Sequence, residues 1–141
     1  MVILDTNVVS ELMRPSPEPA VVAWLNARPP RDLFVTSVTE AEVRAGIAFL
    51  PRGKRRRGLL EAADRAFGEL FEDRVLPFGR EAARACASIA AERRNAGRPI
   101  SQIDCQIAAV ARSMRASLAT RNVRDFDGAG IRVLDPWEHG A

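Results

Sequence analysis

The chain has 141 residues, 47% of them apolar, which is the size of one domain and enough for a continuous core without disulfide staples. Lys and Arg total 21 against 18 Asp and Glu, a net charge of +3 that permits a polyanionic partner without demanding one. No apolar stretch approaches the ~20 residues needed to span a bilayer, and Asp5 interrupts the first apolar run, so neither a membrane span nor a secretory leader is expected and the cytoplasm is the expected location.

Met1 to Leu4 is a short β-branched apolar run that predicts a buried parallel strand, ended by the turn and capping residues Asp5-Thr6-Asn7. Val8 to Arg14 reads as a short helix, broken by prolines at 15, 17 and 19, and Val21 to Ala27 as a second helical piece. Its Trp24 and Leu25, with Leu12, Met13 and Val21, are expected in the core. Leu33 to Thr36 predicts a strand and Val38 to Leu50 a helix with Ala41, Ala45 and Ala48 or Phe49 along its apolar stripe. After Pro51 and Gly53, the basic run Lys54 to Arg57 leads into a helix striped by Leu59 or Leu60, Ala63, Phe67 and Leu70 or Phe71.

Arg74 to Phe78 predicts a short strand, and Arg80 to Asn95 a helix with Ala82, Cys86, Ile89 and Ala90 on one face, stopped by a left-handed Gly97. Ser101 to Arg115 reads as helix, Ser117 to Ala119 as strand, and Ile131 to Leu134 as a last strand after the Gly128 to Gly130 turn. Strands alternate with helices, which argues for a mainly parallel sheet covered on both faces. Cys86 and Cys105 fall in Ala-rich helical segments and are expected to be buried free thiols rather than a bridge.

Acidic residues stand where predicted strands end or helices begin: Asp5, Glu42, Asp104 and Asp125. A parallel α/β fold gathers such positions at one edge of its sheet, and hard oxygen ligands of this kind suit Mg²⁺ or Mn²⁺ and metal-assisted phosphoryl hydrolysis. A structural explanation competes for each. Thr39 with Glu42 and Ser101 with Asp104 have the spacing of a capping box, where the helix N-terminus would also help keep both carboxylates ionised. Asp5, expected outside any helix where a strand empties into a loop, is costly to bury without a partner. In the stretch after Ala119, Thr120, Asn122 and Asp125 offer hydroxyl, amide and carboxylate oxygens to the same edge.

Four segments carry a specific resemblance: Val-Ile-Leu-Asp-Thr-Asn at 2 to 7, Thr-Glu-Ala-Glu-Val-Arg-Ala-Gly at 39 to 46, Ile-Asp-Cys-Gln-Ile-Ala-Ala at 103 to 109, and Ala-Thr-Arg-Asn-Val-Arg-Asp-Phe at 119 to 126. In this order they resemble the blocks of the PIN domain, most nearly that of VapC-like and FitB-like toxins of bacterial toxin-antitoxin pairs. The resemblance implies one PIN domain over residues 1 to 141, a three-layer α/β fold with a mainly parallel central sheet and helices on both faces. It further implies a Mg²⁺- or Mn²⁺-dependent endoribonuclease, restrained by an antitoxin that lies across the early helices and often presents an Arg to the carboxylates. A homodimer is implied as well.

Residue by residue, the resemblance gives catalytic roles to Asp5, Glu42 and Asp104, with Asn122 and Asp125 at the fourth position. Asp5 and Asp104 are the implied metal ligands, and Thr6, Asn7, Thr120, Arg121 and Arg124 the implied substrate contacts. Several relatives carry Asp where this chain has Asn122, which points to one firmly held ion or to Asp125 as a substitute. A catalytically impaired PIN domain that only binds RNA or its antitoxin is the rival reading.

Receiver-like and haloacid-dehalogenase-like domains fit less well, because Asp5-Thr6-Asn7 supplies no second acid beside the first. The only histidine, His139, is expected to be a solvated tail residue. Hydrolysis by an activated water is therefore expected to leave a 5′-phosphate and a 3′-hydroxyl. Arg52 with Lys54 to Arg57, and Arg121 with Arg124, are the two basic clusters available to guide RNA, the second placed at the site by its neighbours.

Overall fold

The computed structural model describes residues 1–138, so His139 lies outside the described residues. Five strands form one parallel sheet: β1 (Val2–Leu4), β2 (Leu33–Thr36), β3 (Val75–Leu76), β4 (Ser117–Ala119) and β5 (Val133–Leu134), in the order β3-β2-β1-β4-β5. The chain builds outward from β1 to β3 on one side and returns to place β4 on the other. A crevice therefore opens at the carboxyl ends of β1 and β4, the switch point at which open α/β sheets bind ligands.

Among the described residues six α-helices cover the sheet: α1 (Thr6–Leu12), α2 (Pro19–Asn26), α3 (Ser37–Ala48), α4 (Lys54–Arg65), α5 (Arg80–Asn95) and α6 (Gln102–Met114). A core over one face joins Leu4, Val35 and Ala119 to Val8, Val9, Val21, Trp24, Val43, Ile47, Ala63 and Phe67. A second core over the other face joins Ile3 and Leu118 to Ile89, Ile107, Val110 and Phe126. Alternate residues of β1 and β4 serve the two cores, as the two-residue period of a strand demands. This is the three-layer α/β arrangement expected from the sequence. None of the described helices is long and apolar enough to cross a membrane.

Local differences from the sequence reading have physical causes. The expected alanine stripe of α3 faces outward: Ala41, Ala45 and Ala48 are exposed, Phe49 is 85% exposed, and Thr39, Val43 and Ile47 are buried. Branched side chains bury more apolar area than alanine and set the helix's rotation. On α4 and the π-helical turn Ala66–Leu70 that extends it, Leu59, Ala63, Phe67 and Phe71 face inward while Leu60 and Leu70 stay outside. On α5 the stripe runs through Ala82, Cys86 and Ile89, but Ala90 is exposed and the next buried residue is Arg93. The outer strands β3 and β5 each shrink to two residues. Leu12, Met13, Val21, Trp24 and Leu25 belong to the first core, as expected.

Both cysteines are free, with Sγ atoms 3.3 Å apart between α5 and α6, and burial pushes the Cys105 thiol up to about 12. Gly97 ends α5 in the left-handed conformation, φ 71°. Arg115 does the same after α6 at φ 55°, with a side chain that strains there. Arg115→Gly is expected to stabilise the protein by about 0.5–1 kcal/mol, relief of strain outweighing the greater chain entropy of glycine, read as a higher denaturation midpoint in urea. A lower midpoint would show that the Arg115 side chain makes a compensating contact.

Candidate active site

β1 ends at Leu4 and the chain turns into α1 with no intervening loop. Asp5 is the N-cap of that helix rather than a loop residue: its Oδ1 accepts the Thr6 N–H at 2.8 Å, and its own N–H donates to the Ala119 carbonyl of β4 at 2.9 Å. Its Oδ2 accepts the Thr120 hydroxyl at 2.7 Å. Asp5 is therefore held between the two strands that form the crevice, at only 4% exposure. Two neutral donors do not offset that burial. Desolvation, with lesser repulsion from Asp104 and Glu42, raises the Asp5 carboxyl to about 6.

Glu42 and Asp104 arrive from different helices. The Thr36 hydroxyl at the end of β2 caps α3 by accepting the Thr39 N–H at 3.0 Å, so the helix begins three residues before the expected Thr39 cap. Glu42 consequently lies in the second turn, free of any capping role. Ser101 caps α6 as expected, with its Oγ accepting the Asp104 N–H at 3.2 Å. Asp104 sits in the first turn, yet burial raises its pKa, reinforced by the charges of Asp125 and Glu42 and opposed by Ser101 and Arg93. The Ser101 cap works in the expected direction, and burial is the larger effect.

Asp5, Glu42 and Asp104 line one open cavity of about 570 Å³ together with Thr6, Asn7, Arg121 and Asn122. Asp125 and Arg124 do not. They line a neighbouring hollow of about 520 Å³ that shares Arg121 and Asn122 with the first. Thr120 is fully buried, and its hydroxyl donates to Asp5 while accepting from Asn7 Nδ2 at 3.2 Å and the Asn122 N–H at 3.1 Å. With both lone pairs and the proton engaged, it orients Asp5 and cannot contact a substrate. Asn7 is a brace of the same kind, its Oδ1 accepting the Arg121 N–H at 3.3 Å. The Thr6 hydroxyl meets that of Thr39 at 3.1 Å, tying α1 to α3. Of the other basic cluster, Arg55 reaches an adjoining hollow of about 320 Å³ lined also by Thr6, Ser10 and Glu42.

Four residues lining the cavity were not anticipated: Ser10, Glu11, Arg14 and Trp137. The three-residue spacing of Glu11, on the helix that follows Asp5, and Arg14, just beyond its end, is the one sequence signal for the pair. Arg93 is a further omission. Buried to 6% exposure, it donates from Nε to the Arg98 carbonyl at 2.6 Å and from Nη1 to the Asp125 carbonyl at 2.8 Å, clamping the 120–126 segment to the end of α5.

A cation is implied by this family of sites, and the donor chemistry here fits one. Among the described residues no three acidic, histidine or cysteine side chains are grouped so that they could hold a metal ion together. An open arrangement suits Mg²⁺, which keeps several waters and takes one or two carboxylates. The raised pKa of Asp5 marks a buried anion short of positive charge.

An acidic cavity at the switch point of a parallel β3-β2-β1-β4-β5 sheet is the architecture of the PIN domain, and the chain belongs to that family, whose pattern matches residues 2–130. Within the family it resembles VapC- and FitB-type proteins. It is 38% identical over 138 residues to VapC ribonuclease Y4jK of Sinorhizobium fredii, covering 98% of this chain and 99% of the relative. It is 38% identical over 137 residues to Toxin FitB of Neisseria gonorrhoeae, covering 97% and 99%. The crystal structure of FitAcB from Neisseria gonorrhoeae superposes with a TM-score of 0.90 at 38% identity over 98% of this chain and 99% of that one.

Proposed function

We propose that the protein is a Mg²⁺- or Mn²⁺-dependent endoribonuclease and the toxin of a toxin-antitoxin pair. The observation that supports this most directly is the shared cavity of Asp5, Glu42 and Asp104, in which Asp5 is buried without a cationic partner. The names of the relatives, a VapC ribonuclease and a toxin, support the same reading. Asp5 and Asp104 would hold the cation, with Glu42 completing the acidic wall. When bound, the cation supplies charge neutralisation at the phosphate and a more acidic water.

The protein's own residues do the rest. Thr120 and the Thr6 N–H fix the rotamer of Asp5, so its two oxygens are aimed before substrate arrives. Glu42, half-buried and free of capping duty, is placed to accept a proton from the attacking water. Asn122 brings an amide rather than a carboxylate to the cavity, and Asp125 lies outside it, which supports a single firmly held cation. In-line attack then leaves a 5′-phosphate and a 3′-hydroxyl. An antitoxin that covers the cavity, and a second copy of the chain, are the protein partners of this reading.

Antitoxin-free protein is expected to cleave structured RNA in Mn²⁺ or Mg²⁺ and to stop in EDTA, with end-group analysis finding 5′-phosphates. Binding without cleavage under all three conditions would replace this reading with that of a catalytically impaired PIN domain. Cleavage that survives EDTA would place the chemistry elsewhere.

A further inference from the structure

We infer that Arg14 and Arg121 form a phosphate clamp for the nucleotide next to the cleaved bond, and that Glu11 and Trp137 hold the two guanidinium groups in place. The inference rests on RNA being the substrate and assigns a binding subsite to residues outside the four sequence blocks, Arg121 excepted. Glu11 is the anchor. Its carboxylate, 6% exposed on α1, accepts the Glu18 N–H at 3.0 Å and Arg14 Nη1 at 3.1 Å and 3.0 Å on its two oxygens. A buried carboxylate so fully bonded is a fixed post, since removing the arginine would leave a buried charge without its cation.

Arg14 itself stays 63% exposed, and among the described residues only its Nη1 is engaged with an acidic side chain, which leaves Nη2 and Nε available. Arg121 lies with its guanidinium carbon 5.1 Å from the centroid of the Trp137 ring, and Trp137 packs in turn against the first core. The indole is a rigid, flat seat for the cation. Both arginines line the same cavity as Asp5, Glu42 and Asp104. A cavity walled by carboxylates repels a polyanion, so a cationic rim is required for RNA to enter it. Two arginines against the one carboxylate of Glu11 leave a surplus positive charge there, presented on planar donors that match phosphate oxygens.

The test is binding of a fluorescent single-stranded RNA to the full chain in Ca²⁺ across a salt series, with cleavage kinetics in Mn²⁺ alongside. Arg14→Ala and Arg121→Ala are each expected to weaken binding about tenfold and to reduce the slope of log affinity against log salt by about 0.7, the value for one phosphate contact on a single strand. In cleavage the loss is expected in KM more than in kcat. Arg14→Lys, which keeps the charge and loses the fork, should fall between wild type and Arg14→Ala.

The Glu11→Gln variant separates a clamp from bulk charge. Removing an anion strengthens RNA binding if only net charge matters, and weakens it, by about threefold or more, if Glu11 positions Arg14. Trp137→Phe, which retains a ring, controls for loss of packing. Tighter binding by Glu11→Gln, an unchanged salt slope in both arginine variants, or no binding by the wild type overturns the clamp. So does a loss confined to capture of an antitoxin. Wild-type binding with the expected slopes but without cleavage leaves the clamp standing and removes the nuclease reading; cleavage with arginine variants that bind normally does the reverse.

Discussion

Asp5→Asn is expected to abolish cleavage, by about 10³-fold or more, and at the same time to raise the thermal midpoint of the metal-free protein. The first effect follows from removing one of two carboxylates that would hold the cation, on which both the acidified water and the neutralised phosphate depend. The second follows from the raised carboxyl of Asp5, about 6 against an ordinary value of 3.8. The folded state binds this proton more tightly than the unfolded chain, so ionisation opposes folding. The penalty is fully present above pH 6, is relieved as pH falls toward 3.8, and amounts to about 3 kcal/mol for a shift of this size.

Asparagine removes the charge but keeps only one acceptor oxygen, so either the Thr6 N–H or the Thr120 hydroxyl loses its partner, which trims the gain to about 1–2 kcal/mol. The measurement is a pair of thermal melts in EDTA. At pH 7.5 the variant should melt above the wild type, and near pH 4 the difference should vanish or reverse. Adding Mn²⁺ should then raise the wild-type midpoint and leave the variant's unchanged. A variant that melts lower at both pH values would mean that Asp5 is stabilised as an anion by partners other than Thr6 and Thr120, and retained cleavage would remove Asp5 from the reaction.

Phe126→Ala is expected to produce the largest loss of stability, about 3–5 kcal/mol, the cost of deleting a fully buried aromatic side chain. Phe126 is 1% exposed and closes the 3₁₀ turn Val123–Phe126 onto the second core, among Ile3, Ile89, Ile107 and Leu118. In a domain of this size the midpoint should fall by roughly 10–15 °C. The same ring fixes the backbone that carries Asn122 and Asp125, so cleavage measured well below the midpoint should also slow. A fall of less than about 3 °C would show that Arg93, through the Asp125 carbonyl, holds the turn unaided.

The alternation of strands and helices was readable because each strand is a short apolar run bounded by turn residues, and Ser117 to Ala119 and Arg80 to Asn95 appear with the expected bounds. Asp5 and Asp104 were readable as candidates because one follows a strand and the other opens a helix, whereas Glu42 was picked out on a helix start that the structure moves back to Thr36. What failed depended on partners distant in the chain. Thr36, Ser37 and Thr39 all have the chemistry of a cap, and although the strand Leu33 to Thr36 has its expected bounds, the cap falls at its last residue and not at Thr39. Arg93 and Glu11 look like surface residues, since nothing local reveals that carbonyls at 98 and 125 or the N–H at 18 will receive them. Thr120 looked like a substrate contact for the same reason: saturation of a hydroxyl is a property of the assembled neighbours.

The place of β1 in the middle of the sheet carries a consequence for synthesis. Asp5 is synthesised 115 residues before the hydroxyl that orients it, and the strand that receives its N–H comes equally late, at residue 119. A nascent chain that has folded its first half carries two of the acids with one bank of the crevice missing. The pocket in such a design is completed all at once, when β4 docks beside β1, and termination before that strand yields a fragment without a finished pocket.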